Sequence, residues 1–496
     1  METRTPRLPA PVYSAPPSFA PNSWDQRSNR RDFGFAGGAV VAIVAIVAAC
    51  IAMVAGREPL GPSQWDARVA PLVTFVEEAR GHKFAYPVFV EFLTAEEYRA
   101  QATGGAPVSA EAREYYAIEA RTFRSLGLIG GNVDLAAEQD EIRDSGTLAY
   151  YSPSRRTVYV RGVELTPSLR LTLVHELTHA LQDQVFNLDL SRTQSDGAAF
   201  ALRALAEGDA IRIENEYYDT LSEDEQAQVD NQAQIDRESS KALNSESAPV
   251  LLALFGAPYD LGIPFVRLLA SIEGELDRAF RSPPQSEENI FDPASFLDDD
   301  IPVRVEAPKP PKGAKSVPEM GTEVGAVMWY LLVASHTDQK QAIEAVDGWG
   351  GDAMTVYERD DVLCTAMVFR GDTPGDADEM HVALNRVVTA LARHTPQLSR
   401  EASDVTLTLC DPGPSAAPKK IDASAIFAAP TVRSLLLGIA LDDPAVTPRQ
   451  AGCAAGKTIA GLDEARMVQL LEAQSADDPL VRQVLAELGS AIEGCR

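Results

Sequence analysis

The chain has 496 residues, 44 of them Lys or Arg and 72 Asp or Glu, for a formal net charge of −28 at pH 7. So acidic a chain is a poor partner for nucleic acid, which is held by cations that neutralise phosphates, and it is repelled by anionic surfaces. With 45% hydrophobic residues it has ample material for a core, and at this length more than one folding unit is expected.

In chain order, residues 1–32 are proline-rich and end near Arg27, Arg30 and Arg31, which predicts a disordered cytoplasmic tail. Residues 33–56, FGFAGGAVVAIVAIVAACIAMVAG, are 24 residues without a charge, enough as a helix to cross a bilayer, and predict one transmembrane anchor. Basic residues precede it, whereas Arg57 and Glu58 balance after it, so the rest of the chain is expected outside the cytoplasm of the cell membrane. Val47-Ala48-Ala49-Cys50 also resembles a bacterial lipobox, which would make Cys50 a lipidated residue. The apolar run continues past it to Ala55, which favours an uncleaved anchor.

After a short linker, residues 63–130 read as helix, strand (YPVFVEFL) and helix (EAREYYAIEARTFRSLGL). GTLAYYSPSRRTVYVRG follows as two strands with alternating Tyr and Val, joined at Ser152-Pro153-Ser154. Such a hairpin either offers an edge strand to an extended peptide or is an ordinary component of a mixed sheet.

Thr166 and Pro167 then mark a helix start, a capping hydroxyl followed by a residue whose missing N–H has no intrahelical partner there. The helix contains VHELTHALQDQ, with His175 and His179 one turn apart on one face. Rotation by about 100° per residue places Glu176, Gln182 and Asp183 in the same polar stripe. Leu171, Leu173, Val174, Leu177, Ala180, Leu181 and Val185 fill most of the remaining circumference, so the stripe is expected to be buried and to need partners. A zinc ion fits: two imidazoles four residues apart reach one ion, and the Glu after the first points at a water beside it.

Catalytic zinc usually takes three protein ligands. A third His in the extended HExxHxxGxxH pattern is missing, because Gln182 and Val185 stand at its Gly and His places. Downstream, SDGAAFALRALAEGDAIRIENEYY reads as a helix capped by Ser195 or Asp196, with Glu207 among Leu205, Ala206 and Ile211. Residue types alone leave Glu207 open as a ligand or a solvated helical Glu. Asp209, about 200° around the helix from Glu207, is no co-ligand and is expected to be solvated or capping rather than to orient a ligand.

HELTH followed by AEGDA, with 27 residues between His179 and Glu207, resembles the gluzincin metallopeptidases, the thermolysin and alanyl-aminopeptidase type. The resemblance implies an α+β zincin-like domain over residues 63–300, with His175, His179 and Glu207 as zinc ligands and Glu176 as general base. FGAPYDLGIPFVRLL resembles the Pro-Tyr-x-x-Gly segment of the aminopeptidase branch and places Tyr259 as hydrogen-bond donor to the oxyanion, against a packing role at the start of a helix over GIPFVRLL. PPQSEENIFDP also looks like segments of bacterial membrane-associated zincins. The implied chemistry is peptide hydrolysis in which zinc lowers the pKa of water, Glu176 takes the proton and the carbonyl is polarised by the metal. A Gly-x-Met-Glu-Asn-like segment, which binds the substrate amine in aminopeptidases, is missing between residues 60 and 165, so an endopeptidase is the expectation. The rival is a noncatalytic binding or scaffold protein that keeps the fold.

Further on, LSEDEQAQVDNQAQIDRESSK reads as an exposed helical excursion or loop, and the Pro-rich VRVEAPKPPKGAKSVPE as a boundary near 302–318. Residues 301–412 are expected to continue the protease region with a core helix at MWYLLVA, a turn at GWGGD, strands around TVYER and CTAMVF, and a helix through DEMHVALNRVVTAL. Residues 421–496 read as a small helical module. Cys364, Cys410, Cys453 and Cys495 permit two disulfides, and sequence order favours Cys364–Cys410 and Cys453–Cys495. His336, His381 and His394 lack ligand spacing and are expected as surface or core residues.

Overall fold

The computed structural model describes residues 61–102, 110–138, 148–188, 193, 195–243, 249–317, 322–416, 422–423, 425–473, 475 and 477–495. The expected tail, transmembrane anchor and Cys50 lie outside them. The described fold is α+β, mostly helical with two small sheets.

The N-terminal segment runs α1 (Ala70–Arg80), β1 (Phe89–Leu93), α2 (Ala95–Ala102), α3 (Ala110–Ser125), β2 (Ala149–Ser152) and β3 (Thr157–Arg161). The strands pair in the order β1-β3-β2, with β1 parallel and β2 antiparallel to β3. The expected hairpin is therefore present. Its β2 is an edge by sheet order, yet all four of its residues are buried, so the edge is covered and not open to solvent.

Next come α4 (Pro167–Phe186) and α5 (Asp196–Tyr218), whose starts follow the capping chemistry of the sequence. The Thr166 side chain accepts from Leu169 N at 3.2 Å, and Ser195 Oγ accepts from Ala198 N at 3.1 Å. The polar stretch after them is helical, α6 (Glu223–Leu243), and rests on the fold through buried Val229 and Ala233. Then α7 (Pro249–Ser271) runs unbroken through Pro258 and Pro264, which places Tyr259 in mid-helix and not at the start of one. It is long and apolar enough to cross a membrane, but a core helix passes the same test, and α7 packs against α5.

The remainder contains α8 (Glu275–Arg281), α9 (Glu288–Phe291), α10 (Pro293–Leu297), β4 (Lys315–Ser316), α11 (Ala326–Ala334), α12 (Gln339–Val346), β5 (Trp349–Arg359), β6 (Val362–Gly371), α13 (Pro374–Ala390), β7 (Gln397–Glu401) and β8 (Asp404–Cys410). The strands form an antiparallel sheet in the order β4-β5-β6-β8-β7. GWGGD, expected as a turn, instead opens β5 with a bulge between Trp349 and Gly351. In the Pro-rich stretch, Val303 N donates to Gly350 O at 2.7 Å and Val305 packs on Ala353 and Val368. MWYLLVA is core, with Trp329 and Tyr330 fully buried on α11.

The chain ends in α14 (Ala428–Leu441), α15 (Pro448–Ala460), α16 (Glu464–Glu472) and α17 (Pro479–Glu493). Disulfides join Cys364 to Cys410, directly opposite each other on β6 and β8, and Cys453 to Cys495. Leu436 and Leu437 of α14 share one core with Phe265 and Leu269 of α7.

Two hydrophobic cores result. The smaller gathers α1, the first sheet and most of α4, and the larger gathers α7, the second sheet and α11 to α17. Helix α5 belongs to both, through Ala201, Leu202 and Leu205 on one side and Ile213 and Tyr217 on the other. The polar stripe of α4 faces this junction.

Candidate metal centre

Three donor atoms converge between α4 and α5. His175 Nε2 and His179 Nε2 are 3.0 Å apart, and Glu207 Oε2 lies 3.2 Å from the first and 3.3 Å from the second. Zinc–nitrogen bonds of about 2.0–2.1 Å in a tetrahedron set ligand atoms roughly 3.3–3.4 Å apart, so the triangle matches the size of a zinc site. The two histidines spaced on one helix and the Glu on the next thus meet at one point.

The outer nitrogens of both imidazoles are already committed. His175 Nδ1 is 3.0 Å from Glu214 Oε2, and His179 Nδ1 is 3.0 Å from Gln182 Oε1. Both partners are acceptors, so each Nδ1 carries its hydrogen and each Nε2 turns a lone pair inward. Two lone pairs and a carboxylate oxygen packed this closely repel one another unless a positive charge sits among them. The titration of the groups reflects the same demand. Burial disfavours the charged imidazole of His175, but Glu207 and Glu214 outweigh it and hold the ring well above the usual histidine range. His179 is raised likewise by Glu207 against burial, and Glu207 itself is held far below the carboxylate range by the two histidines although burial opposes this.

Gln182 is held in turn. Its Nε2 donates to Ala206 O and to Asp209 Oδ2, both at 3.1 Å, so it presents its oxygen to His179. Asp209 is fully buried and accepts from Arg80 Nε at 2.7 Å and Arg212 Nη2 at 3.0 Å. The expectation that Asp209 is solvated or capping is therefore corrected: it is buried and holds Gln182, the partner of His179, because Arg80 on α1 supplies the charge that permits its burial. Arg80 also reaches Asp277 on α8 at 2.9 Å and lies over the rings of Phe186 and Phe280.

Glu176, 2% exposed, stands beside the triangle. Its Oε2 accepts from Tyr151 N of β2 at 2.7 Å, and its other oxygen accepts no hydrogen bond among the described residues. Burial raises its pKa above the ordinary carboxylate value, against the pull of His175 and His179. The Tyr151 ring spans the stripe and its hydroxyl donates to Asp183 Oδ2 at 2.9 Å, which seats β2 on α4.

Tyr259 approaches from α7, half-buried, with its hydroxyl interacting with the Glu207 carboxylate and with Glu176 nearby. Burial and these carboxylates push its pKa well above the tyrosine value, so it remains a donor. Two glycines make this approach possible. A Cβ on Gly208 would lie 2.3 Å from Gly262 O, and one on Gly262 would lie 2.1 Å from Ala204 O. The backbones of α5 and α7 touch there, one residue beyond Glu207 and three beyond Tyr259. Residues 316–435 match a family described as a domain of unknown function (DUF8575). That stretch runs from β4 into α14 and contains none of the converging residues. No curated protein and no solved structure matches the chain.

Glu214, Arg80 and Tyr151 were not singled out by the sequence. Glu214 had a signal, since seven residues after Glu207 is two turns along the same helical face. Arg80 and Tyr151 had none, because they come from other elements.

Proposed function

We propose that the chain is a membrane-anchored, extracytoplasmic zinc-dependent endopeptidase with a gluzincin-like site. The observation that carries this reading is the triangle of His175 Nε2, His179 Nε2 and Glu207 Oε2 with both Nδ1 hydrogens committed outward. When bound there, zinc supplies a Lewis acid that polarises a carbonyl and acidifies water. Glu176 receives the proton on the oxygen that Tyr151 leaves open and returns it to the departing amine. Its raised pKa suits a group that must both take and give a proton. Tyr259 donates its hydroxyl hydrogen toward the oxygen on which negative charge develops. The uncharged run at 33–56 supports the anchor, and the two disulfides suit an oxidising compartment outside the cytoplasm.

Metal analysis of the purified chain together with a peptide-library digest tests the reading. One zinc per chain and internal cleavage of peptides are expected. Glu207→Ala should lose the metal, whereas Glu176→Gln should keep it while hydrolysis falls about 100-fold or more. A zinc-loaded wild type that cleaves nothing would favour the noncatalytic scaffold, and full zinc affinity in Glu207→Ala would remove that residue from the ligand set.

A further inference from the structure

A second cluster of carboxylates lies away from the histidines, where the segment containing α9 and α10 meets the second sheet. Glu288 on α9, Asp300 after α10 and Asp372 after β6 each place a carboxylate oxygen within 4.8 Å of the other two. Glu288 is 6% exposed, and its carboxylate accepts no hydrogen bond and forms no ion pair among the described residues. Arg433 is the cation in its neighbourhood, but its Nη1 is spent on Asp347 at 2.9 Å and its Nη2 on the Phe291 carbonyl at 2.7 Å. A buried carboxylate aimed at two others, with no cation hydrogen-bonded or ion-paired to it among the described residues, is an arrangement that folding does not favour by itself.

The backbone holds the three in place. Asn289 Nδ2 donates to Ser295 Oγ at 3.0 Å and to Asp300 O at 3.3 Å, which folds the Asp300 loop back over α9. Asp372 N donates to Gly348 O at 2.9 Å, and a Cβ on Gly350 would lie 2.5 Å from Asp372 Oδ1, so the Asp372 side chain rests against a position that only glycine leaves open.

We propose that Glu288, Asp300 and Asp372 form a calcium site, distinct from the His175–His179–Glu207 centre. The donors are all oxygens, which selects a hard cation over zinc. Calcium–oxygen bonds of about 2.3–2.6 Å let one ion bridge oxygens up to roughly twice that distance apart. Magnesium demands near-ideal octahedral geometry and is usually held by one or two carboxylates plus substrate phosphates, whereas calcium accepts several carboxylates and completes its shell with water. Asp372 is exposed, so an ion has a path in and room for its waters. An ion bound here ties the loop around α9 and α10 to the β6–α13 turn, two segments separated by the whole of β5 and β6.

The test uses the full chain after treatment with a calcium-selective chelator that leaves zinc in place. Calorimetric titration with CaCl2 in physiological salt should show one ion per chain with a dissociation constant within about 10⁻⁶–10⁻³ M, and the melting temperature should rise as it binds. Glu288→Gln should abolish both responses without changing zinc content. Asp372→Asn, at an exposed position that poses no folding risk, should weaken binding about tenfold or more. No saturable 1:1 uptake, an equal response to MgCl2, or wild-type binding in both variants overturns the proposal. The outcome is independent of whether the histidine centre hydrolyses peptides.

Discussion

Tyr259 and Glu207 meet although they come from different helices, and the meeting allows two roles for the phenol. It either steadies a ligand or donates to the oxygen of the reacting carbonyl. Tyr259→Phe separates them, because only the hydroxyl is deleted. For a donor to developing charge, zinc affinity persists while kcat and kcat/KM fall together by roughly 100-fold, the usual size for loss of one such contact. Weaker zinc binding with proportionate loss of activity would instead assign the hydroxyl to Glu207, and unchanged kinetics would assign Tyr259 to packing. At this scale the histidine spacing and the following Glu were legible because one helix fixes all three. The hydrogen bonds that set the histidine tautomers were less so: Gln182 shares the stripe with His179, but Asp209 reads as solvated until Arg80 is placed beside it.

At the scale of elements, the crossing of α5 and α7 is the feature on which the centre depends. Gly→Ala within a helix ordinarily stabilises by about 1 kcal/mol. Here the sign reverses, since a methyl on Gly262 would press into Ala204 O at 2.1 Å and drive the helices apart. Gly262→Ala is expected to lower stability by about 1–3 kcal/mol and to reduce activity by withdrawing Tyr259. Urea unfolding and turnover of the zinc-loaded variant measure the two effects, and a variant more stable than wild type with full activity would refute the close crossing. The same scale shows why GWGGD was misread. Glycines and an aspartate signal a turn locally, but pairing with β6 recruits them as the bulged start of β5, and the buried Asp352 accepts from Val324 N, Gly325 N and the indoles of Trp329 and Trp349.

For the whole molecule, the proposed metal centre lies where two cores join. His175 and His179 belong to a helix of the smaller core, while Glu207 sits on the stretch of α5 that enters the larger one. A metal held by both therefore contributes to their docking. Removal of zinc with a zinc-selective chelator, at constant calcium, is expected to lower the melting temperature; at a free zinc concentration about 1,000 times the dissociation constant the linkage is about 4 kcal/mol. Scanning calorimetry checks this. An unchanged transition in chain shown to be zinc-free would mean that packing alone docks the cores.

The sequence by itself determined what short range controls. Thr166-Pro167 and Ser195 start the two helices, HELTH puts two imidazoles and a carboxylate on one face, and the order of cysteines along the chain matches their pairing. The shortness of the apolar run, too short to cross a bilayer, also marked MWYLLVA as core. Tertiary structure alone decided which distant groups meet these. Arg80 makes a buried Asp209 tolerable, Tyr151 of β2 fixes one oxygen of Glu176, and the glycine crossing brings Tyr259 to Glu207. It also merged the terminal helices with the α7 core and gathered Glu288, Asp300 and Asp372. The reason is physical: a helix or cap is set by neighbours within a turn or two, whereas the partner of a buried charge is whichever side chain the packing of other elements delivers.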